Sequence, residues 1–305
     1  MFKDKEIFIT GGTGSWGQEL VKQLMGKCKS ITVMARNEAN IVAMSRKYPD
    51  VKCIVGDVRD FEVLNNHLKN IDVLFHLAAV KHVPICEEQP EEAINTNIMG
   101  ALNIIKTSKL NNITDVILIS TDKAVEPINT YGISKAMAEK LFLNAGFKVI
   151  RAGNVIGSSG SVIPLFKNQI EKGEKATLTS MEMTRFFMTL KQAINLVIKA
   201  YSICAPSEVV VVGMPSFSLI QLLKVLAGGD WPIELIGIRP GEKLHELLIS
   251  EGELPDTYYI EAHNLYIVTK NPGEDWPKLK YKLSSEDIEQ DDKILSKLLE
   301  ESGYL

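Results

Sequence analysis

The sequence has little that would suit it to a membrane, a nucleic acid or a metal. No apolar run approaches the roughly 18 residues of a membrane-spanning helix, so no membrane partner is expected. Positive charge is not in excess: the formal net charge is -4, and without a basic stripe the electrostatic footprint of a nucleic-acid binder is missing. Cysteine is sparse. Cys28, Cys53, Cys86 and Cys204 are scattered, with no CxxC pair and no His at ligand spacing, which speaks for thiols in a reducing compartment and against a metal site. The first strand-like run, Glu6-Ile7-Phe8-Ile9, starts almost at once, which leaves no room for a signal peptide, so a cytoplasmic location is expected. No repeat, low-complexity tract or long linker is visible. What remains is 45% hydrophobic and 24% charged, a balance that excludes disordered and fibrous classes. A length of 305 residues suits one large domain with a smaller one.

Strand-like and helical runs alternate through the first half of the chain. Ile7 to Thr10, Ser30 to Met34, Val51 to Val55, Asp72 to Leu77, Val116 to Ile119 and Lys148 to Ile150 read as buried strands, and the intervening segments have helical periodicity. Alternation of this kind predicts an α/β fold, a Rossmann-like doubly wound parallel sheet. Residues 1–151 form the expected dinucleotide-binding domain. Residues 152–305 form a smaller C-terminal α/β subdomain for substrate, with some chain crossing back. Within these, Glu91 to Leu110 is expected as one long helix, Ile238 to Glu246 as a helix with Pro240 at its start, and Asp287 to Leu305 as a surface helix.

Gly11, Gly14 and Gly17 follow the first strand and open a helix, a spacing that lets backbone N–H groups approach a pyrophosphate. Gly11, Thr13, Gly14, Ser15, Trp16 and Gly17 are therefore candidate cofactor contacts, Trp16 through packing. At the end of the second strand, where an acid would hold the ribose 2'-hydroxyl of NAD, stand Arg36 and Asn37. An arginine there favours the 2'-phosphate of NADP over NAD, the alternative being a solvated surface arginine. Asp57 could accept a hydrogen bond from the adenine amino group, with Val58 beside it. Ala78 and Ala79 are small where the backbone must approach the nicotinamide half, and Lys81 follows. His82 reads as structural. Asn97 is either a buried polar residue that orders water near the site or a satisfied core amide.

The densest chemistry lies in Ser120-Thr121-Asp122-Lys123-Ala124 and Tyr131-Gly132-Ile133-Ser134-Lys135. Tyr131 and Lys135 are four apart on a helical pattern and so share one face. A strand end feeding a helix is where open parallel sheets bind ligands. The loop Arg151 to Pro164 should leave the same rim, its glycines and Asn154 suited to an anionic ligand, with a plain connecting loop as the alternative.

Thr10-Gly11-x-x-Gly14-x-x-Gly17 with Tyr131-x-x-x-Lys135 resembles the extended short-chain dehydrogenase/reductase superfamily. Ser120 to Ala124, Arg151-x-Gly153-Asn154-Val155-x-Gly157, Gly237 to Glu246, Lys81-His82-Val83-Pro84 and Met183-Thr184-Arg185-Phe186 narrow the likeness. Over most of the chain, to about residue 250, it is similar to the UDP-N-acetylglucosamine 4,6-dehydratases of polysaccharide pathways, chiefly the C5-inverting group. Three positions depart from that pattern: the Phe142 to Phe147 segment is short, Ala152 replaces a usual Tyr, and Ser159 a usual Arg.

The resemblance implies an NADP-mediated oxidation at C4, water loss across C5–C6 and hydride return to C6. In it Tyr131 is the base at the 4-hydroxyl, its phenol pKa lowered by Lys135. Lys123 removes the C5 proton, which requires it to be neutral part of the time; Lys135 and the oxidised nicotinamide are expected to depress its pKa. Asp122 is the acid for the 6-hydroxyl, and Thr121 or Ser120 holds the 4-oxygen. Asn154, Arg185 and Arg239 are implied at the diphosphate, Glu242 at the uridine ribose, and Lys81 and Val162 in the sugar pocket. A homo-oligomer is implied as well. Rival readings are a C5-retaining dehydratase, a 4-epimerase or 4-keto reductase of the same superfamily, and a non-catalytic NADP sensor.

Overall fold

The computed structural model describes residues 1–157, 161–287, 289 and 291–305; Ser159 lies outside them. Six parallel strands build the frame: β1 (Glu6–Thr10), β2 (Ser30–Ala35), β3 (Lys52–Val55), β4 (Val73–His76), β5 (Asp115–Thr121) and β6 (Lys148–Ala152). They stand in the order β3-β2-β1-β4-β5-β6 and are extended past β6 by Val209–Val212, Leu265–Val268 and Thr257–Ile260. Val209–Val212 is parallel to β6, while the last two pairings are antiparallel. The strand order reverses between β1 and β4, which opens a crevice at their C-terminal ends.

Period-two side-chain alternation explains why both faces are buried. Ile7, Ile9, Val33, Phe75, Ile117 and Ile150 belong to one core, and Phe8, Met34, Leu74, Val116, Leu118 and Val149 to the other. Covering helices on both sides leave these runs apolar throughout, as parallel sheets require.

The second half of the chain is divided between this sheet and a smaller body. Asn154–Val155, Thr184–Met188 and Ser216–Ser218 form a short three-stranded sheet around a third core containing Ile163, Phe166, Phe187, Phe217 and Leu222. Asn154, expected in an irregular loop, instead pairs beside Phe187. The last helix, Asp292–Glu301, is not simply a surface helix: Leu295, Leu298 and Leu299 lie at i, i+3 and i+4 and are buried in the third core.

Two expected helices differ. Pro90–Ala93, Ile94–Met99 and Gly100–Leu110 follow one another, but the middle segment is a π-helix. Ile238 to Glu246 is not helical at all. Gly241 adopts a left-handed φ of 79°, which a right-handed helix does not accommodate, and its carbonyl accepts from the Asn129 side-chain amide at 2.7 Å; the carbonyls of Lys243 and Leu244 accept from the Arg185 guanidinium at 3.0 Å each. Among the described residues no helix is long and apolar enough to cross a membrane, and none group as a metal site.

Candidate active site

At the crevice, β1 turns at Gly11 and enters the helix Ser15–Leu24. That helix packs on the turn so closely that a Cβ on Gly17 would sit 2.4 Å from the Gly12 Cα; only glycine fits. No side chain caps the helix N-terminus, so its N–H groups face the cleft and suit an anion. Thr10 closes the opposite side. Its Oγ1 pairs with His76 Nδ1 at 2.7 Å and accepts from the Leu77 and Ala78 N–H groups at 3.2 and 3.3 Å. Burial, with Lys135 nearby, pushes His76 down to about 3, so this ring is a neutral fastener between β1 and β4.

The π-helix gives Asn97 its place. Its Oδ1 accepts from the Val80 N–H at 2.9 Å, and its Nδ2 donates to Val80 O and Ser134 Oγ, both at 2.9 Å. Asn97 is thus a satisfied core amide, and through Ser134 it ties the loop after β4 to the helix Thr130–Asn144.

β5 ends at Thr121 and passes into a single 3-10 turn, Asp122–Ala124. The following helix lies directly on that turn: a Cβ on Gly132 would come within 2.2 Å of the Lys123 carbonyl. Tyr131 and Thr121 thereby line the same cleft, and the Thr121 hydroxyl donates to Asp122 Oδ1 at 2.9 Å. Lys123 Nζ donates to Asp122 Oδ1 at 3.0 Å and Asn154 Oδ1 at 3.3 Å, and lies 3.3 Å from Glu246 Oε1. Asp122 is fully buried, and its Oδ2 has no hydrogen-bond partner.

Two electrostatic expectations change. Burial works against the Lys123 charge, but Asp122 and Glu246 outweigh it, and the pKa lies well above the ordinary lysine range. The ammonium is clamped, not neutralised by Lys135. Tyr131 is pushed up to about 12 by burial, against the nearby Lys123 charge and the Thr121 hydroxyl. Lys135 donates to Ile119 O at 2.8 Å and is brought down to about 8 by burial, partly offset by Glu139.

One continuous cleft of about 1400 Å³ gathers nearly all the expected residues. Gly11, Thr13, Gly14, Ser15, Trp16, Gly17, Arg36, Asn37, Val58, Ala78, Ala79, Lys81, Tyr131 and Lys135 line it, as do Thr121, Lys123, Asn154, Val162, Arg239 and Glu242. Asp57 does not. Its carboxylate accepts from the Arg59 backbone N–H and Nε at 2.9 Å, and Arg36 stands 4.0 Å away. Arg185 reaches the cleft wall, but its Nη groups are spent on Thr184 O, Lys243 O, Leu244 O and Met183 Sδ. It braces the Arg239 to Glu246 segment instead of offering a free fork.

Nothing in the motif spacing singles out Glu246. It is 2% exposed, lines the cleft and sits in direct contact with Lys123. The one signal for it is a carboxylate set immediately before the apolar run Leu247-Leu248-Ile249, where burial without a counter-ion would be costly. Arg151, expected at the start of a loop, lies in β6, holding Glu139 at 2.7 Å and Glu253 at 2.9 Å and donating to Leu248 O at 2.9 Å.

Residues 7–269 match the family described as polysaccharide biosynthesis protein. The chain is 40% identical to a UDP-glucose 4-epimerase of Rickettsia bellii, over 83% of this chain and 80% of that protein. It is 39% identical to the UDP-N-acetylglucosamine 4,6-dehydratase (inverting) of Campylobacter jejuni, over 88% and 84%. The X-ray structure of Pen from Bacillus thuringiensis superposes with a TM-score of 0.93 at 34% identity, covering 100% of this chain and 99% of that one. With its Rossmann-like sheet and these relatives, the chain belongs to the polysaccharide biosynthesis protein family, among the nucleotide-sugar epimerases and dehydratases of the short-chain dehydrogenase/reductase type.

Proposed function

We propose that the protein is a UDP-N-acetylglucosamine 4,6-dehydratase, producing a UDP-4-keto-6-deoxy-N-acetylhexosamine with inversion at C5. The observation that carries this reading is the buried Asp122–Lys123 pair, 3.0 Å apart, in contact with the phenol-bearing end of the Tyr131 helix. A 4-epimerase has use for Tyr131 and Lys135 but none for a second acid and base at C5 and C6.

The glycine turn and the uncapped helix N-terminus fit a nicotinamide dinucleotide, which when bound supplies a reversible hydride acceptor for the sugar. Arg36, lining the cleft at the end of β2, supports NADP over NAD. Tyr131 takes the proton of the 4-hydroxyl as C4 is oxidised, with Thr121 holding the oxygen by hydrogen bond. Lys135, within one turn on the same helix, supplies positive charge that favours the phenolate form in which Tyr131 can accept that proton.

The resting proton of the acid–base pair sits on Lys123. Its transfer to Asp122 Oδ1 leaves a neutral amine, able to take the C5 hydrogen acidified by the 4-ketone, and a carboxylic acid, able to protonate the departing 6-hydroxyl by way of the Thr121 hydroxyl, which lines the cleft 2.9 Å from Asp122 Oδ1. As the C5–H and C6–O bonds break and water leaves, Lys123 is again an ammonium and Asp122 again a carboxylate. Return of hydride to C6 and of a proton to C5 on the face opposite Lys123 completes the inverted product, the proton that C5 gains balancing the one that Tyr131 took from the 4-hydroxyl. Arg239, Asn154 and Lys81 attend the diphosphate and sugar, and Glu242 the uridine.

The second reading, a 4-epimerase, is favoured by the name of the Rickettsia relative. Incubation with UDP-N-acetylglucosamine and no added reductant, followed by NMR, separates the two. A 4-ketone with a C6 methyl group is expected, and its C5 coupling pattern reports inversion. A product that keeps its 6-hydroxyl and differs only at C4 would make the protein an epimerase.

A further inference from the structure

The Lys123 ammonium has three N–H donors, and three side-chain oxygens face them: Asp122 Oδ1, Asn154 Oδ1 and Glu246 Oε1. Two of the donors are hydrogen-bonded, to Asp122 and Asn154, and the Glu246 carboxylate stands 3.3 Å from Nζ as an ion pair. Asp122 does not line the cleft, whereas Asn154 and Glu246 do. A ligand entering the cleft therefore meets Lys123 on the side that those two residues hold, and only Glu246 holds it by charge.

Glu246 is built to be there. Its backbone N–H donates to Ser285 Oγ at 2.8 Å; that hydroxyl pairs with Thr184 Oγ1 at 2.8 Å, which also pairs with His245 Nδ1 at 2.8 Å. Arg185 Nε lies 3.9 Å from Oε1, and Lys243 Nζ lies 4.0 Å from Oε2. These two cations and Lys123 are the charged groups that face the carboxylate. Oε2 is buried and has no hydrogen-bond partner, so one carboxylate oxygen remains open to another donor while the other grips Lys123.

We propose that Glu246 is the positioning residue of Lys123, fixing the amine from the cleft side and governing when it can give up its proton. The control of the proton stands on the geometry alone; the effect on turnover rests on the dehydratase reading. Asp122, Asn154, Arg185 and Tyr131 also surround Lys123, and all of them are retained when only Glu246 is changed.

The test is competitive acetylation of the substrate-free protein with acetic anhydride, which reacts with neutral amines, read by peptide mass spectrometry against exposed Lys52. Glu246→Gln keeps the size and removes the charge, and should raise Lys123 labelling about tenfold or more, the change that one pKa unit produces. With UDP-N-acetylglucosamine the same variant should lose kcat while KM stays within about twofold, because Glu246 acts through Lys123. Lower kcat with unchanged labelling would reduce Glu246 to a structural role and overturn the proposal. Should Glu246→Gln fail to fold, Glu246→Asp, which keeps the charge but draws it back from Nζ, should raise labelling by a smaller factor; a parent-like rate there overturns it equally. Increased labelling in a protein whose parent form leaves UDP-N-acetylglucosamine unchanged would uphold Glu246 and refute the dehydratase assignment.

Discussion

Replacing Lys123 with methionine preserves the side chain's length but leaves Asp122 and Glu246 without the ammonium between them. Their side chains are 0% and 3% exposed, and that of Lys123 is 20% exposed, so water replaces little of what is lost. Removing one partner of a buried ion pair costs ~3–5 kcal/mol.

A pH dependence follows from the ammonium itself. In the parent, the raised Lys123 pKa contributes stability that is complete below the unfolded lysine value and lost only as pH rises through the higher folded one. Urea unfolding of both proteins should therefore show the gap between them narrowing as pH is raised above the ordinary lysine range. Lys123→Met combined with Asp122→Asn should recover part of the loss. A variant as stable as the parent, or a loss that does not change with pH, would refute the clamped-ammonium description.

Tyr131→Phe removes the phenol but not the Asp122–Lys123 pair; in a single turnover with UDP-N-acetylglucosamine no absorbance at the reduced-nicotinamide band is expected, and its appearance would remove Tyr131 from the first step. Gly17→Ala drives a methyl group against the Gly12 backbone at 2.4 Å; nucleotide binding, followed by fluorescence titration, should weaken at least about tenfold as the turn is pushed open. Arg151→Met leaves Glu139 and Glu253 buried against an apolar side chain; urea unfolding should show a loss of ~3–5 kcal/mol, whereas a parent-like midpoint would mean that this triad contributes nothing.

Features set by near neighbours in the chain are legible in the sequence. The glycine turn, the strand runs and the four-residue spacing of Tyr131 and Lys135 each depend on local backbone geometry, and all lie where their patterns indicate. Charge is different. Asp122, the neighbour of Lys123, contributes most to holding its charge; the second carboxylate, Glu246, comes from a distant part of the chain and is not visible locally. The helix expected over Ile238 to Glu246 fails on a similar contact: proline and acids mimic a helix start, but Gly241 is left-handed and the distant Asn129 claims its carbonyl. The π-helix around Asn97 carries no composition signal, and the amide's bonds that accompany it run to Val80 and Ser134, outside the helix.

These long-range contacts also join substrate recognition to chemistry. Asn129 accepts from the Gly132 N–H at 2.7 Å and so caps the helix that carries Tyr131; its amide nitrogen donates to Gly241 O at 2.7 Å. Two residues on, Lys243 Nζ reaches Val125 O at 2.6 Å, immediately after the Asp122–Ala124 turn. Then comes Glu246 on Lys123. The segment that presents Arg239 and Glu242 to the cleft is thus fastened at three points to the turn and helix that present Asp122, Lys123 and Tyr131. Fastening at one point would permit a hinge; three points along six residues fix both position and orientation. If the proposed function holds, a nucleotide bound at Arg239 and Glu242 is registered against Asp122 and Lys123 through this strap.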